Sequence, residues 1–469
     1  MRLRVLILVA IIAIFIGLFI YAYIEYLRLK EIYEKSFLTV LTGEHISIAT
    51  DLSLSFTSNL RFWLLVKPPI YPAWAYPPPP AKEIGISNIT FVRLSTLTSG
   101  NRSVDGLMLI QPDSIHYLRE HASMLSVLNK TIINRVPPVF VDRNGKYVTV
   151  AFRVNSIIVN KKMLNELGLP EINSLSNIYD FFTANPSEAI KLTIIMPKPS
   201  ANTPTQYLLS KTLEIHGWER GLQILIVLAG LSTVTERAND AAAQVALGIY
   251  PLTIGNNDNA FSAYILSGGD ADLMFIKETN YEPLTLAALE TGKKVYVEKL
   301  ILWFLSRDGQ KSFLTYTDYI PVNFSDTNAS NHKIDYLSST IKYLGNQEIF
   351  NYSLKPETQN YSSLALQLYE KVFLEEEVQA SLKKLFQKIA QENNPIKAQE
   401  VIQSLSNHIK VQDPWSGSLV ELNPEYLAQV QARLSRMNPS EASSYFDKLQ
   451  NSLRQWIMGK ISTFLSESP

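Results

Sequence analysis

The chain has 469 residues, more than one ordinary domain needs, so two or three units are expected, with ample length to bury a core. Lysine plus arginine and aspartate plus glutamate balance at 43 each, which removes any global electrostatic reason to bind nucleic acid or an acidic partner. There is no cysteine, which excludes thiolate catalysis, disulfides and cysteine metal sites.

After Met1-Arg2-Leu3-Arg4 the chain is apolar without interruption from Val5 to Ala22, close to the roughly 20 residues that cross a bilayer as a helix. The run exceeds the roughly 7–15 residues of a signal-peptide core and lacks a small-x-small cleavage site. An uncleaved transmembrane signal anchor is therefore expected, with a cleaved signal as the competing reading. Arg28, Lys30 and Lys35 beyond the run balance Arg2, Arg4 and the amino terminus before it, so charge alone does not orient the span. The next apolar stretch, Leu222 to Leu231, is about half the length a second span needs. Glycosylation sequons begin at Asn88, Asn101, Asn129, Asn323, Asn328, Asn351 and Asn360, and none lies between Lys130 and Val322. Anchor and sequons together predict a single-pass cell-membrane protein whose globular body is extracellular.

Tyr26 to Lys35 continues as a charged stalk, and FLTVLTG (37–43) reads as a buried strand closed by a glycine turn. His45 to Phe56 has helical apolar spacing, and strand followed by helix is an α/β signature. Seven prolines between Pro68 and Pro80 forbid regular structure and favour a polyproline II excursion, either a surface insertion or a docking strip for a partner. ISNITFVRLS (86–95) and VDGLMLIQP (104–112) read as strands, and Asp113 to Leu128 has helical periodicity. KYVTVAFRVNSIIVN (146–160) is a long strand pattern leading into a helix at Lys161–Glu166, which stops at Gly168 and Pro170.

A further unit follows: a helix at Ser174–Phe182, the strand KLTIIMP (191–197), a polar loop, and helices at Gln206–Ile215 and Glu219–Ala229. VALGIYPLTIG (245–255) is a strand entering an Asn-rich loop, and VYVEKLILWFLS (295–306) is an amphipathic helix. From about residue 332 strand signals fade; Leu364–Ile389, Pro395–Ile409 and Ser440–Leu465 are the expected helices, punctuated by Pro414 and Pro424. No repeat of fixed period is visible.

The order of these pieces resembles the extracytoplasmic solute-binding proteins of ABC importers, in the group that contains the iron(III)-type binding proteins. LTVLTGEHISI (38–48) is similar to that group's first strand, binding loop and helix. AKEIGISNITFVRLS (81–95) is similar to the second strand of archaeal members, and VDGLMLIQPDS (104–114) to a strand with a ligand-facing loop. Ala151 to Pro170 resembles the crossover that enters an N-K-x-x-L-x-x-L-G-L-P helix. MPKPSANTPTQ (196–206) looks like the D-P-x-x-S-G-T loop, and FLSRDGQKSFLTYTDYIPVN (304–323) like the F-L-L-S-x-E-G-Q helix and I-P-V strand. The resemblance covers roughly residues 38 to 325.

It implies an α/β, two-lobed periplasmic-binding-protein-like fold with hinge strands: lobe 1 from 36–150 and 286–331 with the insertion at 67–80, lobe 2 from 151–285. An anchor and stalk (1–35) precede these and a helical region (332–469) follows. Three features depart from the pattern, the first being the proline-rich excursion that interrupts lobe 1. Ala201-Asn202 stands where the family prefers Ser-Gly, and the adjacent tyrosine pair that ferric-binding members use as metal ligands is absent, so neither a metal nor another cofactor is expected.

Ligands of open α/β sheets bind at the carboxyl ends of strands near a crossover, which makes Arg153, Asn155 and Ser156 candidates, each with a plain structural alternative. Thr42, Gly43 and Glu44 offer amides and a carboxylate, or form an ordinary turn. Gln111 and Asp113 follow a strand, although Asp113 suits a helix cap equally well. Ser200, Asn202 and Thr203 bind solute or simply form a loop, and Asn256, Asn257 and Asp258 in GNNDNAF are the densest hydrogen-bonding cluster, or a turn of that composition. His116 and His121 are not spaced for one helix face, and TGKK (291–294) lacks the upstream glycine of a phosphate loop. Trp218, Trp303 and Trp415 read as core or turn residues. No motif pairs a nucleophile with a base, so no enzyme is expected. The implied function is a receptor that closes two lobes on a small solute and delivers it to an ABC permease and its ATPase. A cell-surface structural or adhesion protein with the same fold and no transported ligand is the competing reading.

Overall fold

The computed structural model describes residues 23, 37–42, 88–93, 106–109, 122–168, 171–290, 294–316, 319–323, 336 and 355–466. The expected anchor, stalk, proline excursion and the helix at His45–Phe56 lie outside these, as do His116 and His121. In chain order come β1 (Phe37–Thr42), β2 (Asn88–Arg93), β3 (Gly106–Leu109) and β4 (Tyr147–Asn160). The helix expected over 113–128 does not occupy the described end of that range. Ala122–Met124 is a single 3-10 turn, Leu125 bridges Leu289, and Ser126 donates to the Ala288 carbonyl at 2.9 Å. The apolar pair Leu125 and Leu128 has helical spacing, but a strand edge takes up the backbone that a helix would need.

Then follow α1 (Lys161–Glu166), α2 (Leu175–Ala184), β5 (Ile194–Pro197), α3 (Thr203–Leu231), β6 (Ser232–Thr235), α4 (Ala238–Ala246), β7 (Leu252–Asn256) and α5 (Asn257–Leu266). Side-chain caps set the starts: Asn160 accepts from the Met163 amide at 3.0 Å, and Ser174 forms a capping box with Asn177. Gly217 breaks α3 into two helical segments at φ 74°, a backbone state that glycine adopts without a Cβ penalty. The strand expected from Val245 begins only at Leu252. Val245 and Ala246 end α4, Gly248 turns the chain at φ 70°, and the expected Asn-rich loop is the first turn of α5.

The rest comprises β8 (Ala271–Met274), β9 (Asn280–Ala288), α6 (Lys294–Phe304), α7 (Arg307–Tyr316), β10 (Ile320–Pro321), α8 (Pro356–Leu368), a π-helical turn (Tyr369–Phe373), α9 (Glu376–Glu392), α10 (Pro395–Ser406), β11 (Lys410–Gln412), β12 (Leu419–Glu421), α11 (Pro424–Leu434) and α12 (Pro439–Ser466). Pro424 sits in the first turn of α11, where its missing N–H costs nothing.

Contacts divide the chain into two units, residues 1–152 with 283–351 and residues 153–282 with 352–469. The chain leaves the first inside β4, between Phe152 and Arg153, and returns inside β9, between Glu282 and Pro283. In the first unit β1 runs parallel to β2 and β3, β9 runs antiparallel to β3, and β10 lies antiparallel to β4. Gln310 of α7 ties that unit together: its amide donates to the Val150 and Phe304 carbonyls, and its Oε1 accepts from the Asn323 amide at 2.8 Å.

In the second unit the strand order is β4-β7-β5-β6, with β5 parallel to β6 and β7, and with β7 and β8 antiparallel to β4. β4 is buried at every residue except Arg153, which is partly exposed. The C-terminal helices belong to this unit's core. The Phe182 and Phe386 rings lie 4.4 Å apart between centroids, and Trp218 meets Tyr361 edge-on at 5.9 Å. Leu222 to Leu231 is buried in that same core, and no helix among the described residues is long and apolar enough to cross a membrane.

Candidate functional site

In the second unit β4 and β7 pair in a register that sets Asn155 opposite Asn256 and Ser156 opposite Gly255. A Cβ at 255 would stand 2.7 Å from Ile158 Cδ1 and 3.2 Å from Asn259 Cβ, so a larger residue there would have to push these side chains aside. Asn257, fully buried at the start of α5, accepts the Val154 amide on Oδ1 at 2.9 Å and so pins the helix start to β4. Asn256 caps α5, its Oδ1 accepting from the Asp258 and Asn259 amides, each at 3.0 Å. Asp258 and Asn256 remain partly exposed. The sequence-derived candidates on β4 and those of GNNDNAF are therefore one cluster.

Residues that the sequence reading did not single out complete the cluster. Arg153 donates through Nε and Nη2 to Glu282 Oε2 at 2.9 and 2.6 Å, an ion pair in which the carboxylate side chain is 1% exposed and the guanidinium side chain 16%. Asn155 Nδ2 donates to the other carboxylate oxygen at 2.8 Å and to Asn280 Oδ1 at 3.3 Å. Ser156 donates to the Met274 carbonyl at 2.5 Å and shares a 2.7 Å hydrogen bond with Thr279. Because Glu282 accepts only, the orientation of the Asn155 amide is fixed. Among the described residues its Oδ1 is then left buried without a partner, as is Asn280 Nδ2. A buried acceptor and a buried donor thus have unspent hydrogen-bonding capacity in one polar layer. The signal in the sequence was TNYEP (279–283), which puts Asn280 and Glu282 at the start of the buried strand NYEPLTLAA.

The loop after β5 forms a second group. Ser200 donates its amide and its hydroxyl to the two oxygens of Glu370, both at 2.6 Å, so a residue of the π-helical turn holds this loop. Asn202 caps α3, accepting from the amide and the hydroxyl of Thr205, both at 2.9 Å, and Thr203 opens the helix partly exposed. Of the candidates in the first unit, Thr42 closes β1, while Gly43, Glu44, Gln111 and Asp113 lie outside the described residues.

The structure also juxtaposes Ser174, His216 and Glu278. Ser174 Oγ donates to Glu278 Oε1 at 2.6 Å, and His216 Nε2 lies 2.9 Å from that oxygen and 3.3 Å from the serine. A hydrolytic triad uses one ring nitrogen for the nucleophile and the other for the acid. Here a single nitrogen faces both groups, and the carboxylate also accepts the Leu175 amide at the start of α2. The trio fastens a helix start. Among the described residues no group of three or more His, Asp or Glu side chains is placed to hold a metal ion.

Of the sequon asparagines, Asn129 and Asn360 are exposed, Asn88 lies in β2, and Asn323 donates to the Arg135 carbonyl at 3.0 Å. Asn101, Asn328 and Asn351 lie outside the described residues. Trp303 is buried, whereas Trp415 is 70% exposed at the β11–β12 turn.

No family model matches the chain, and no curated protein matches it. Among solved structures it is similar to apo ferric ion-binding protein A of Pasteurella haemolytica, at 15% identity and a TM-score of 0.49, over 72% of this chain and 97% of that one. It is also similar to IdiA (FutA) of Trichodesmium in complex with iron and citrate, at 15% identity and a TM-score of 0.48, over 71% and 98% of the two chains. The periplasmic binding protein AfuA of Actinobacillus pleuropneumoniae, with fructose-6-phosphate bound, matches at 16% identity and a TM-score of 0.41, over 76% and 98%.

Proposed function

We propose that the protein is an extracytoplasmic receptor that captures a small polar solute and delivers it to an ABC permease and its ATPase, with no chemistry of its own. The observation that carries this reading is the polar layer at the point where the chain changes units. Arg153, Asn155 and Ser156 sit in mid-strand with Asn280 and Glu282 as partners, although β4 is otherwise a buried strand. Burying such groups costs free energy unless every hydrogen bond is made, and here one acceptor and one donor are left over. The motif resemblance over roughly residues 38 to 325 points the same way, and Val5 to Ala22 supplies the membrane anchor in this reading.

Solute contact is assigned to the partly exposed Arg153, Asn256 and Asp258, with Ser200, Asn202 and Thr203 as the second group. The lining offers both donors and acceptors, which suits a sugar, a peptide or an oxyanion. The test is thermal unfolding of the purified protein against panels of sugars, oligopeptides, oxyanions and metal ions. A solute bound only by the native state raises the melting temperature, by about 2.7 kcal/mol of added stability at a concentration of about 100 Kd. Asp258→Ala is expected to abolish the shift for the solute that produces it, with the fold intact by circular dichroism. No shift with any class would overturn the receptor reading in favour of a structural or adhesion role.

A further inference from the structure

We infer that Asn129 is a glycosylated residue, its side-chain amide taking an oligosaccharide from a lipid-phosphate-linked donor; the inference rests on the extracytoplasmic placement of the proposed function. Asn129-Lys130-Thr131 is a sequon, and the bulk of a glycan requires the residue that carries it to stand on the surface. All three residues of this sequon are exposed. The backbone at Asn129 is extended, and its Oδ1 accepts the Thr131 amide at 2.9 Å. That bond spends the side-chain oxygen two residues along the chain. It leaves Nδ2, the atom that receives the sugar, without a partner among the described residues. The Asn129 backbone amide donates to Glu298 Oε1 of α6 at 2.9 Å. A tertiary contact therefore holds the sequon in place without engaging the side-chain nitrogen.

In the transfer a bond forms between Asn129 Nδ2 and the anomeric carbon of the donor sugar, and the bond from that carbon to the phosphate oxygen breaks. The lipid phosphate leaves with the electron pair, one amide proton is released, and nothing is oxidised or reduced. The other sequon asparagines among the described residues are placed differently. Asn323 spends Nδ2 on the Arg135 carbonyl at 3.0 Å, and its backbone amide donates to Gln310 Oε1 at 2.8 Å. Asn360 is exposed but lies inside α8, where Tyr361 is 7% and Ser362 4% exposed. Within a helix an amide bonds to the carbonyl four residues back, so the Ser362 amide is not available to the Asn360 side chain, and the residue that must supply the sequon hydroxyl is buried. Asn88 lies in β2, paired with Phe37 of β1. Geometry thus separates Asn129 from sequons of the same pattern.

The experiment is glycopeptide mass spectrometry of the full-length protein isolated from the cells that make it. The peptide carrying Asn129 is expected to bear the oligosaccharide mass on that residue, and the peptides carrying Asn323 and Asn360 to be unmodified. Thr131→Val keeps the side-chain shape and the amide that Asn129 accepts but removes the sequon hydroxyl, so it should abolish the modification, whereas Thr131→Ser should retain it. Asn129→Gln should also abolish it, with the fold intact by circular dichroism. The proposal is overturned if the Asn129 peptide is unmodified or if Thr131→Val keeps the glycan, and an oligosaccharide on Asn360 would overturn the geometric selection. Trypsin added to intact cells separates this failure from a failure of the receptor reading. An unmodified Asn129 in a body that the protease reaches removes the glycan alone, whereas a body that the protease does not reach removes the extracytoplasmic placement as well.

Discussion

Replacing Glu282 by glutamine tests the polar layer most directly. The substitution keeps the shape of a side chain that is 1% exposed but removes the charge that Arg153 meets through two nitrogens, at 2.9 and 2.6 Å. One amide oxygen can still accept from either Arg153 or Asn155, but the amide nitrogen then faces a donor, because Glu282 at present accepts from both. Breaking a buried ion pair from one side costs about 3–5 kcal/mol. The guanidinium keeps 16% of its surface and with it some water, which places the expectation at the low end, about 3 kcal/mol. In urea unfolding followed by far-UV circular dichroism, that corresponds to a midpoint lower by about 1 M or more, taking a slope of roughly 1–3 kcal/mol/M. The double variant Arg153→Met with Glu282→Gln leaves no unpaired charge and still offers Asn155 an acceptor, so it should recover at least half of the loss, a coupling of about 1–3 kcal/mol. A single variant within about 1 kcal/mol of the parent, a spread typical of exposed pairs, would show that the pair is hydrated and that the layer carries no stored cost. A double variant whose loss is the sum of the two single losses would refute the coupling.

Two further perturbations probe the C-terminal helices. Burial alone would push the Asp413 carboxyl up, but hydrogen bonds from the Tyr445 hydroxyl, the Ser416 hydroxyl and amide, and the Tyr426 hydroxyl outweigh it and hold the group well below the usual carboxylate range, while Tyr445 is pushed up to about 12. A carboxylate whose pKa is depressed on folding contributes stability above its unfolded value of about 3.9 and loses it as pH falls from there toward the depressed value. Asp413→Asn should therefore cost about 2–3 kcal/mol at pH 7 and flatten the acid dependence of the urea midpoint below about pH 5; an unchanged acid slope would refute the assignment. Gly230→Ala gains about 1 kcal/mol of helix propensity but places a methyl inside contact distance of the Phe386 ring, which is 1% exposed. Overpacking of about 1–3 kcal/mol should leave the variant less stable, and adding Phe386→Leu should relieve part of the loss; a melting temperature above the parent's would show that α3 and α9 do not pack this closely.

Sequence periodicity was enough to place β4, the helix start at Lys161, the break in α3 and the C-terminal helices α10 and α12, because each rests on local signals, whereas the helix expected over Leu364–Ile389 is the end of α8, the π-helical turn and α9. Asn160 and Ser174 are caps, Gly217 admits a positive φ, and α9 and α12 carry apolar stripes. What periodicity could not give was pairing. Val245 and Ala246 are as apolar in a helix as in a strand, and only Gly248 at φ 70° marks the turn between them and β7. Leu125 and Leu128 have helical spacing but serve a strand edge. In the candidate site the asparagines were visible as types, while their partners Glu282, Asn280 and Glu370 lie more than 100 residues from the groups they bind. Asn202 and Asn256 read as binding groups or as loop and turn formers, and their side chains instead cap α3 and α5.

The same polar layer explains how a strand buried on both faces keeps its register. Along β4 the residues on either side of Arg153, Asn155 and Ser156 are Val, Phe and Ile, and hydrophobic burial alone is nearly indifferent to a slip among such residues. A slip of β4 by one residue against both its neighbours, β7 and β9, would take the Val154 amide away from Asn257 Oδ1 and the Asn155 amide away from Glu282, leaving donors and a carboxylate buried without partners. Each such orphan costs about 1–3 kcal/mol, more for the charged group, so the slipped pairing loses several kcal/mol while keeping its apolar contacts. The cost of burying Arg153 and Glu282 is thus the means by which one pairing is chosen. That register sets Asn155 opposite Asn256, whose side chain caps the helix carrying Asp258, so groups assigned to binding are held in position by the network that fixes the strand.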